Sequence, residues 1–200
     1  MAYKMNVKQK ILRFLIENKE KSFSMYGLSK TLKIDYKLLY INTKKLEKER
    51  SIEVENLKSQ KRCSFKDRFN EDVFIVETER RNDTLKRKEF RAIYSLLKEI
   101  NKQFIILLFG SHVKGTATKH SDIDLLLISH EDDAKKIEEK LAILPFEVHL
   151  TPVTYESFIR MARSKEFSVV SEALKKNILL FGIEDYYRLI QNAENPGFSA

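Results

Sequence analysis

Phe104-Ile105-Ile106-Leu107-Leu108-Phe109-Gly110-Ser111, followed by Ser121-Asp122-Ile123-Asp124-Leu125-Leu126-Leu127-Ile128-Ser129, is the stretch whose reading decides the fold. The first run is apolar without interruption, has the length of a buried strand, and stops at Gly110-Ser111. The second is another such strand, but its first half carries two carboxylates one residue apart. Side chains alternate along a strand, so Asp122 and Asp124 project from the same face, roughly 6.5 Å apart along the chain. Two acids at the start of a buried strand repel each other and lose hydration unless a cation lies between them. Carboxylate oxygens, with no cysteine or suitably spaced histidine nearby, favour a hard ion, Mg²⁺ or Mn²⁺. Such an ion takes the rest of its shell from water and substrate phosphates. The pattern points to metal–triphosphate chemistry.

A third acid would help hold metal and deprotonate an attacking hydroxyl. In Phe146-Glu147-Val148-His149-Leu150-Thr151, the residues Glu147, His149 and Thr151 share one face, and a helix over residues 131–144 lets this strand return beside the Asp122/Asp124 strand. Glu147 is the candidate third ligand; its alternative reading is an exposed surface acid. His149 lies on the same face. His112, His120 and His130 stand beside turns, where a lone histidine is more often a surface residue than a ligand.

The ordered set Gly110-Ser111, Lys114-Gly115, Ser121-Asp122-Ile123-Asp124-Leu125 and a later strand acid resembles the DNA polymerase β-like nucleotidyltransferase superfamily, specifically its minimal nucleotidyltransferases. The resemblance covers about residues 85–190, including Glu172-Ala173-Leu174-Lys175-Lys176 and Ile178-Leu179-Leu180-Phe181-Gly182. It implies that Gly110, Ser111, Lys114 and Ser121 bind the nucleotide, with glycine admitting close backbone approach. It also implies that Asp122, Asp124 and Glu147 hold metal and position an acceptor hydroxyl for in-line attack on the α-phosphorus. Glu147 departs from the more usual Asp, so its carboxylate reaches one methylene further. Lys114 keeps a solvent-facing alternative.

Outward from this segment the charge is uneven. Of the formal +8, residues 1–66 hold 17 Lys and Arg against 7 Asp and Glu, a net +10, and residues 67–200 hold 20 against 22, a net −2. A basic head on a near-neutral body suggests separate binding and chemical modules. The head predicts three helices and a hairpin: Val7 to Leu15; Met25 to Leu32; a third helix capped by Asp35, with Tyr36, Leu39, Thr43 and Leu46 on one face; then Ile52–Glu55 paired with Arg62–Phe65. That order is the order of a winged helix-turn-helix, and Ile34-Asp35-Tyr36 and Lys44-Lys45-Leu46-Glu47 resemble bacterial and archaeal winged-helix domains. The resemblance puts Lys37, Leu38, Ile41, Asn42 and Lys45 on the outer face of a recognition helix, with Lys58, Lys61 and Arg62 in a wing. Protein docking and a merely solvated basic face remain the alternatives.

Arg80, Arg81, Lys86, Arg87, Lys88 and Arg91 read as a solvated helix face, with a route for nucleic acid or triphosphate between the domains as the alternative, and Phe158, Phe167, Tyr186 and Tyr187 as core. Cys63 excludes a disulfide framework and reads as a small apolar filler. No uncharged run approaches the ~20 residues that span a bilayer, and no signal peptide is evident, so a cytoplasmic protein without membrane contact is expected.

The expected fold is α+β: a winged helix-turn-helix over 1–66, a linker over 67–84, a nucleotidyltransferase α/β domain over 85–192 with a small mixed sheet flanked by helices, and a flexible tail over 193–200. The expected activity is transfer of a nucleotide, AMP from ATP or another nucleoside triphosphate, to a protein or nucleic-acid hydroxyl with release of pyrophosphate, an EC 2.7.7-type reaction. Expected partners are the triphosphate, nucleic acid at the basic head, and a protein acceptor or toxin-type partner, with a homodimer left open. The competing reading is a DNA-binding regulator or antitoxin-like partner whose nucleotidyltransferase fold senses a nucleotide.

Overall fold

Asn6 and Gln9 cap each other at the start of the first helix, α1 (Val7–Glu17): the Asn6 side chain accepts from the Gln9 amide and the Gln9 side chain from the Asn6 amide. The computed structural model describes residues 5–57, 60–164 and 166–194. The chain divides into two compact units, Met1–Glu79 and Arg80–Ala200.

In the first unit, α1 is followed by a short strand, β1 (Phe23–Ser24), where the sequence suggests only a break. Ser24 then caps α2 (Met25–Leu32), which ends at Lys33 in the left-handed region, φ 53°. Asp35 caps α3 (Tyr36–Lys48) by accepting from the Leu38 amide at 3.1 Å. Leu39, Thr43 and Leu46 are buried along one stripe of α3, whereas Tyr36 at its end, with no preceding turn beside it, is 50% exposed. Strands β2 (Ile52–Leu57) and β3 (Gln60–Phe65) pair antiparallel with Ile52 opposite Phe65 and Val54 opposite Cys63, and β1 pairs with the other edge of β3. Ile11, Leu12, Leu15, Leu28, Leu39 and Leu46 are buried completely or nearly so. Cys63 is buried as an apolar filler, and burial pushes its thiol up to about 11.

The stretch read as a linker contains α4 (Glu71–Thr84), and the boundary between units falls inside this helix. It is followed by α5 (Lys88–Leu97), β4 (Ile105–Leu108), a single turn α6 (Ser111–Lys114), β5 (Ile123–Ile128), α7 (Glu131–Leu141), β6 (Val148–Val153), α8 (Tyr155–Arg163), α9 (Val169–Lys175), β7 (Ile178–Phe181) and α10 (Ile183–Glu194). The sheet order is β6-β5-β4-β7, with β5 and β6 parallel and the other pairs antiparallel. α7 is the crossover between β5 and β6. The second unit is thus a small mixed sheet flanked by helices, as expected.

Alternation along β5 sets the site. Ile123, Leu125 and Leu127 join Ile106 and Leu108 of β4, Phe90, Ile93 and Leu97 of α5, and Ile137 and Leu141 of α7 in one core. Asp124, Leu126 and Ile128 therefore lie on the opposite face, where α9 packs on β5 and α10 on β4. Phe158, Tyr186 and Tyr187 are buried as expected. Phe167 corrects that reading: it precedes the Ser168 cap of α9, outside any helical stripe, and is 80% exposed.

Two of the arginines expected on a solvated face are structural. Arg80 is buried and donates to the Asn177 carbonyl at 2.7 Å. Arg81 donates to the Leu180 carbonyl and lies over the Tyr94 ring. A guanidinium can supply several donors to the end of a buried strand, a task that charge counting cannot reveal. No helix among the described residues is long and apolar enough to cross a membrane.

Candidate active site

Gly110, at the exit of β4, has φ 69° and ψ −149°, a conformation open essentially to glycine alone. A Cβ there would lie 2.1 Å from Asp124 Oδ2 and 2.9 Å from its carboxyl carbon. The turn and the acid are therefore fitted to each other: Asp124 occupies the volume that any other residue at 110 would fill. The Phe109 amide donates to the Asp124 carbonyl at 3.1 Å, joining the two strands at this level. α6 follows, with the Gly110 carbonyl accepting from the Lys114 amide at 3.0 Å and Gly115 ending the turn at φ 79°.

Asp122 precedes β5 by one residue and is exposed, while Asp124 is half-buried on the strand. Burial pushes the Asp124 carboxyl above the ordinary carboxylate range; His149 opposes that shift, Asp122 and Glu172 add to it, and His112 opposes it weakly. His149 lies beside Asp124 in the parallel register, its Nδ1 3.8 Å from Asp124 Oδ1. The Ile123 amide donates to the Glu147 carbonyl at 3.3 Å, so Glu147 stands next to the Asp122 level at the entrance to β6. Glu147 itself is exposed.

Asp122 and Glu147 line a cavity of about 500 Å³, together with Arg87, His112, Lys119 and Phe146. Gly110, Ser111 and Asp124 are not among its lining residues. The acids thus divide between two sides: Asp124 against the Gly110 turn, Asp122 and Glu147 toward the cavity. Among the described residues no three His, Cys, Asp or Glu side chains converge into a metal-binding group. Asp122 and Asp124 nonetheless fit a hard divalent cation in donor chemistry, since both offer carboxylate oxygens and the desolvated Asp124 carries a second acid nearby.

The other residues marked in the sequence have the following surroundings. Lys114 is ion-paired with Glu172 of α9. Ser121 turns back on its own loop, its Oγ accepting from the Thr118 amide at 2.9 Å. In the first unit, Lys37, Lys45 and Lys61 are exposed and Asn42 donates back to the Leu38 carbonyl of its own helix. Lys61 lies over the Tyr40 ring at 5.6 Å, and Arg62 donates to the side chain and carbonyl of Ser22. Lys58 and the tail beyond Glu194 lie outside the described residues.

Sequence reasoning named Arg87 in a basic stretch, His112 beside a turn and Glu172 in the tail of the domain, but gave none of their contacts at this site. Arg87 stands at the N-cap of α5, its guanidinium 4.5 Å from the Phe90 ring centroid. The signal for His112 was its place directly after Ser111. Glu172, 58 residues from Lys114, offered no local signal.

Residues 87–180 match the nucleotidyltransferase domain family. Over 99 residues the chain is 32% identical to the Haemophilus influenzae (strain ATCC 51907 / DSM 11121 / KW20 / Rd) protein named "Probable protein adenylyltransferase MntA", a match covering 46% of this chain and 86% of that protein. A crystal structure described as a toxin-antitoxin with AMP-PNP is 19% identical to the chain, with a TM-score of 0.34, covering 54% of this chain and 85% of the other.

Proposed function

The chain belongs to the nucleotidyltransferase family, and from that premise we propose that it transfers AMP from ATP, with a divalent metal, to a hydroxyl of a protein or nucleic-acid acceptor. The observation that carries this reading is the fit of Asp124 against Gly110, with Asp122 two residues before it, at the entrance to β5, acting on its charge. A fold gains nothing in stability from packing one desolvated acid beside another, so the arrangement is best explained by its chemistry.

Gly110, Ser111 and Lys114 are assigned to the nucleotide's phosphates, with Ser121 shaping the loop that leads into Asp122. Asp122 and Asp124 would hold Mg²⁺ or Mn²⁺, and Glu147 is the third acid proposed for the site. Bound there, the metal would offset charge on the triphosphate and on the attacking oxygen. Glu147 is assigned to the acceptor side, where its carboxylate takes the hydroxyl proton as the oxygen attacks the α-phosphorus. The bond between the α-phosphorus and its bridging oxygen breaks, and pyrophosphate leaves. The relative named as a protein adenylyltransferase favours AMP and a protein hydroxyl.

The N-terminal unit is proposed to be a winged helix-turn-helix that docks nucleic acid through Lys37, Asn42 and Lys45 of α3 and Lys61 of β3. Support comes from its element order and from the net +10 charge of residues 1–66. The same unit keeps the regulator reading alive.

The test is label transfer. With α-labelled ATP, Mg²⁺ and either cell extract or candidate RNA and DNA, the wild type should label an acceptor while Asp122→Ala and Asp124→Ala should not. Absence of transfer, alongside salt-sensitive and sequence-selective DNA binding, would replace the enzyme reading with the regulator.

A further inference from the structure

We propose that His112, held in its neutral Nε2–H tautomer, is a positioning residue that sets the Arg87 guanidinium beside the Asp122 cavity as a phosphate-binding group. The phosphate role rests on the nucleotidyl-transfer reading above; the tautomer rests on geometry alone.

The partners of the two ring nitrogens decide the tautomer. Arg87 Nη1 lies 3.2 Å from His112 Nδ1, and His112 Nε2 lies 3.2 Å from the Ser121 carbonyl oxygen. A guanidinium can only donate and a carbonyl can only accept. Nδ1 must therefore accept and Nε2 must donate, which leaves one arrangement of protons on the ring. An imidazolium would turn an N–H toward the arginine cation, and the Nδ1–H tautomer would oppose lone pair to carbonyl and hydrogen to hydrogen.

The ring so fixed joins elements far apart in the chain. Its edge meets Phe90 of α5 at 5.5 Å and 86° between planes. Through Nε2 it ties α6 to Ser121, whose next residue is Asp122. Through Nδ1 it holds Arg87, which also stacks over Phe90 and has its Nε 3.8 Å from Glu89 Oε2. Three neighbours thereby determine where the guanidinium sits, and that place is the wall of the cavity shared with Asp122 and Glu147.

The cavity has positive charge at Arg87 and Lys119 and carboxylates at Glu89, beside Arg87, and at Asp122 and Glu147. The ligand that satisfies both is an anion carried by a molecule that also meets the acids through a metal, which is the chemistry of a nucleotide phosphate. A guanidinium fork suits phosphate oxygens better than a flexible ammonium does, and an arginine already oriented loses less freedom on binding.

The experiment has two arms on the full chain. Long-range ¹H–¹⁵N correlation at neutral pH should show His112 neutral with its proton on Nε2; an Nδ1–H tautomer or an imidazolium overturns the bridge, whether or not the protein binds nucleotide. In the second arm, dissociation constants for MgATP and for inorganic tripolyphosphate are measured for the wild type, Arg87→Gln, His112→Phe, the double variant and His112→Gln. Phe keeps the ring and its edge packing on Phe90 while removing both hydrogen bonds. Each single variant should weaken both probes roughly tenfold or more, the scale of a missing charge-assisted hydrogen bond. The double variant should be no worse than Arg87→Gln, and Gln, which can both donate and accept, should recover part of the affinity. Additive losses, or unchanged affinity in His112→Phe, overturn the positioning role. A wild type that binds neither probe sinks the nucleotide reading and the phosphate role with it, and leaves the bridge to be judged by its tautomer.

Discussion

Around Asp124 the second unit combines a backbone at φ 69°, a carboxyl desolvated against Gly110, and a second carboxylate two residues away. Along the outer face of α3 in the first unit, Lys37, Leu38, Ile41 and Lys45 extend from a regular, well-capped helix, all exposed. Both regions stand out in the sequence, one by motif and one by charge. The first arrangement is costly unless a ligand compensates it, so its existence argues for chemistry. The second costs nothing, because lysines on an exposed helix face are stable without any partner. A site is most informative where the fold holds groups in places they would not choose alone.

Asp124→Asn should sharpen this contrast most. Transfer should fall by roughly 10³-fold or more, the equivalent of several kcal/mol of charge stabilisation. Stability in the absence of metal should move the other way. The Asp124 carboxyl is pushed above its ordinary value by burial, so ionising it costs more in the folded than in the unfolded chain. That contribution is stabilising below the unfolded carboxylate range, where the group is protonated, and is lost as pH rises through the raised folded value. At pH 7 the Asn variant should therefore melt higher than the wild type, with the gap closing as pH falls below the carboxylate range. A variant that is inactive and also less stable at pH 7 would make Asp124 a structural acid and erase the distinction between the two regions.

Gly110→Ala should come next, with about a hundredfold loss of transfer. Its Cβ would lie 2.1 Å from Asp124 Oδ2, so either the acid or the turn must move, and a displaced catalytic group costs on that scale. Holding a non-glycine residue at this φ and ψ costs of order 1–3 kcal/mol, so thermal unfolding should show a lower Tm as well. Full activity in this variant would mean that the close fit has no bearing on the reaction.

Legibility followed the same division. Gly110, Asp122 and Asp124 could be read because the strand run, the glycine break and the alternation all fall within 21 residues of one another, Phe104 to Asp124. α3 could be read from Asp35 and its apolar stripe. α4 could not: over Glu71–Thr84 charged residues surround the helix on all sides, and what holds Arg80 is a carbonyl 97 residues away. The Arg87–His112–Ser121 bridge was hidden for the same reason: its partners lie on separate elements, and although His112 and Ser121 adjoin the motif, nothing local in the sequence pairs them with Arg87 or with each other. Local patterns report local geometry; interactions that close across the fold must be seen in the structure.

On α3 the expected change is smaller. Combined Lys37→Ala and Lys45→Ala should weaken nucleic-acid binding by about tenfold at moderate salt. The slope of log K against log salt should become shallower by about 0.9 for each phosphate that is no longer neutralised. Label transfer to an acceptor that does not use the first unit should be unchanged. An unaltered salt slope would return this face to the solvated reading and leave the contrast with Asp124 complete.

The ion pair between Lys114 and Glu172 gives the smallest effect and separates the two meanings of a charged side chain within one interaction. Both side chains are partly exposed, 48% and 30%, so breaking the pair should cost at most about 1 kcal/mol of stability from either end. Stability therefore cannot say whether Lys114 is a phosphate ligand or a paired surface lysine, but nucleotide affinity can. If Lys114 must leave Glu172 to reach a phosphate, Glu172→Gln removes its competitor and one of the negative charges acting on Asp124, and MgATP should bind up to about fivefold tighter, the same ~1 kcal/mol expressed as affinity. Lys114→Met should bind MgATP more weakly. Opposite signs from the two ends of one bridge, at nearly constant Tm, are what a lysine shared between a carboxylate and a phosphate requires. Equal and negligible shifts would place Lys114 with the lysines of α3, charged and solvated but without a part in the reaction.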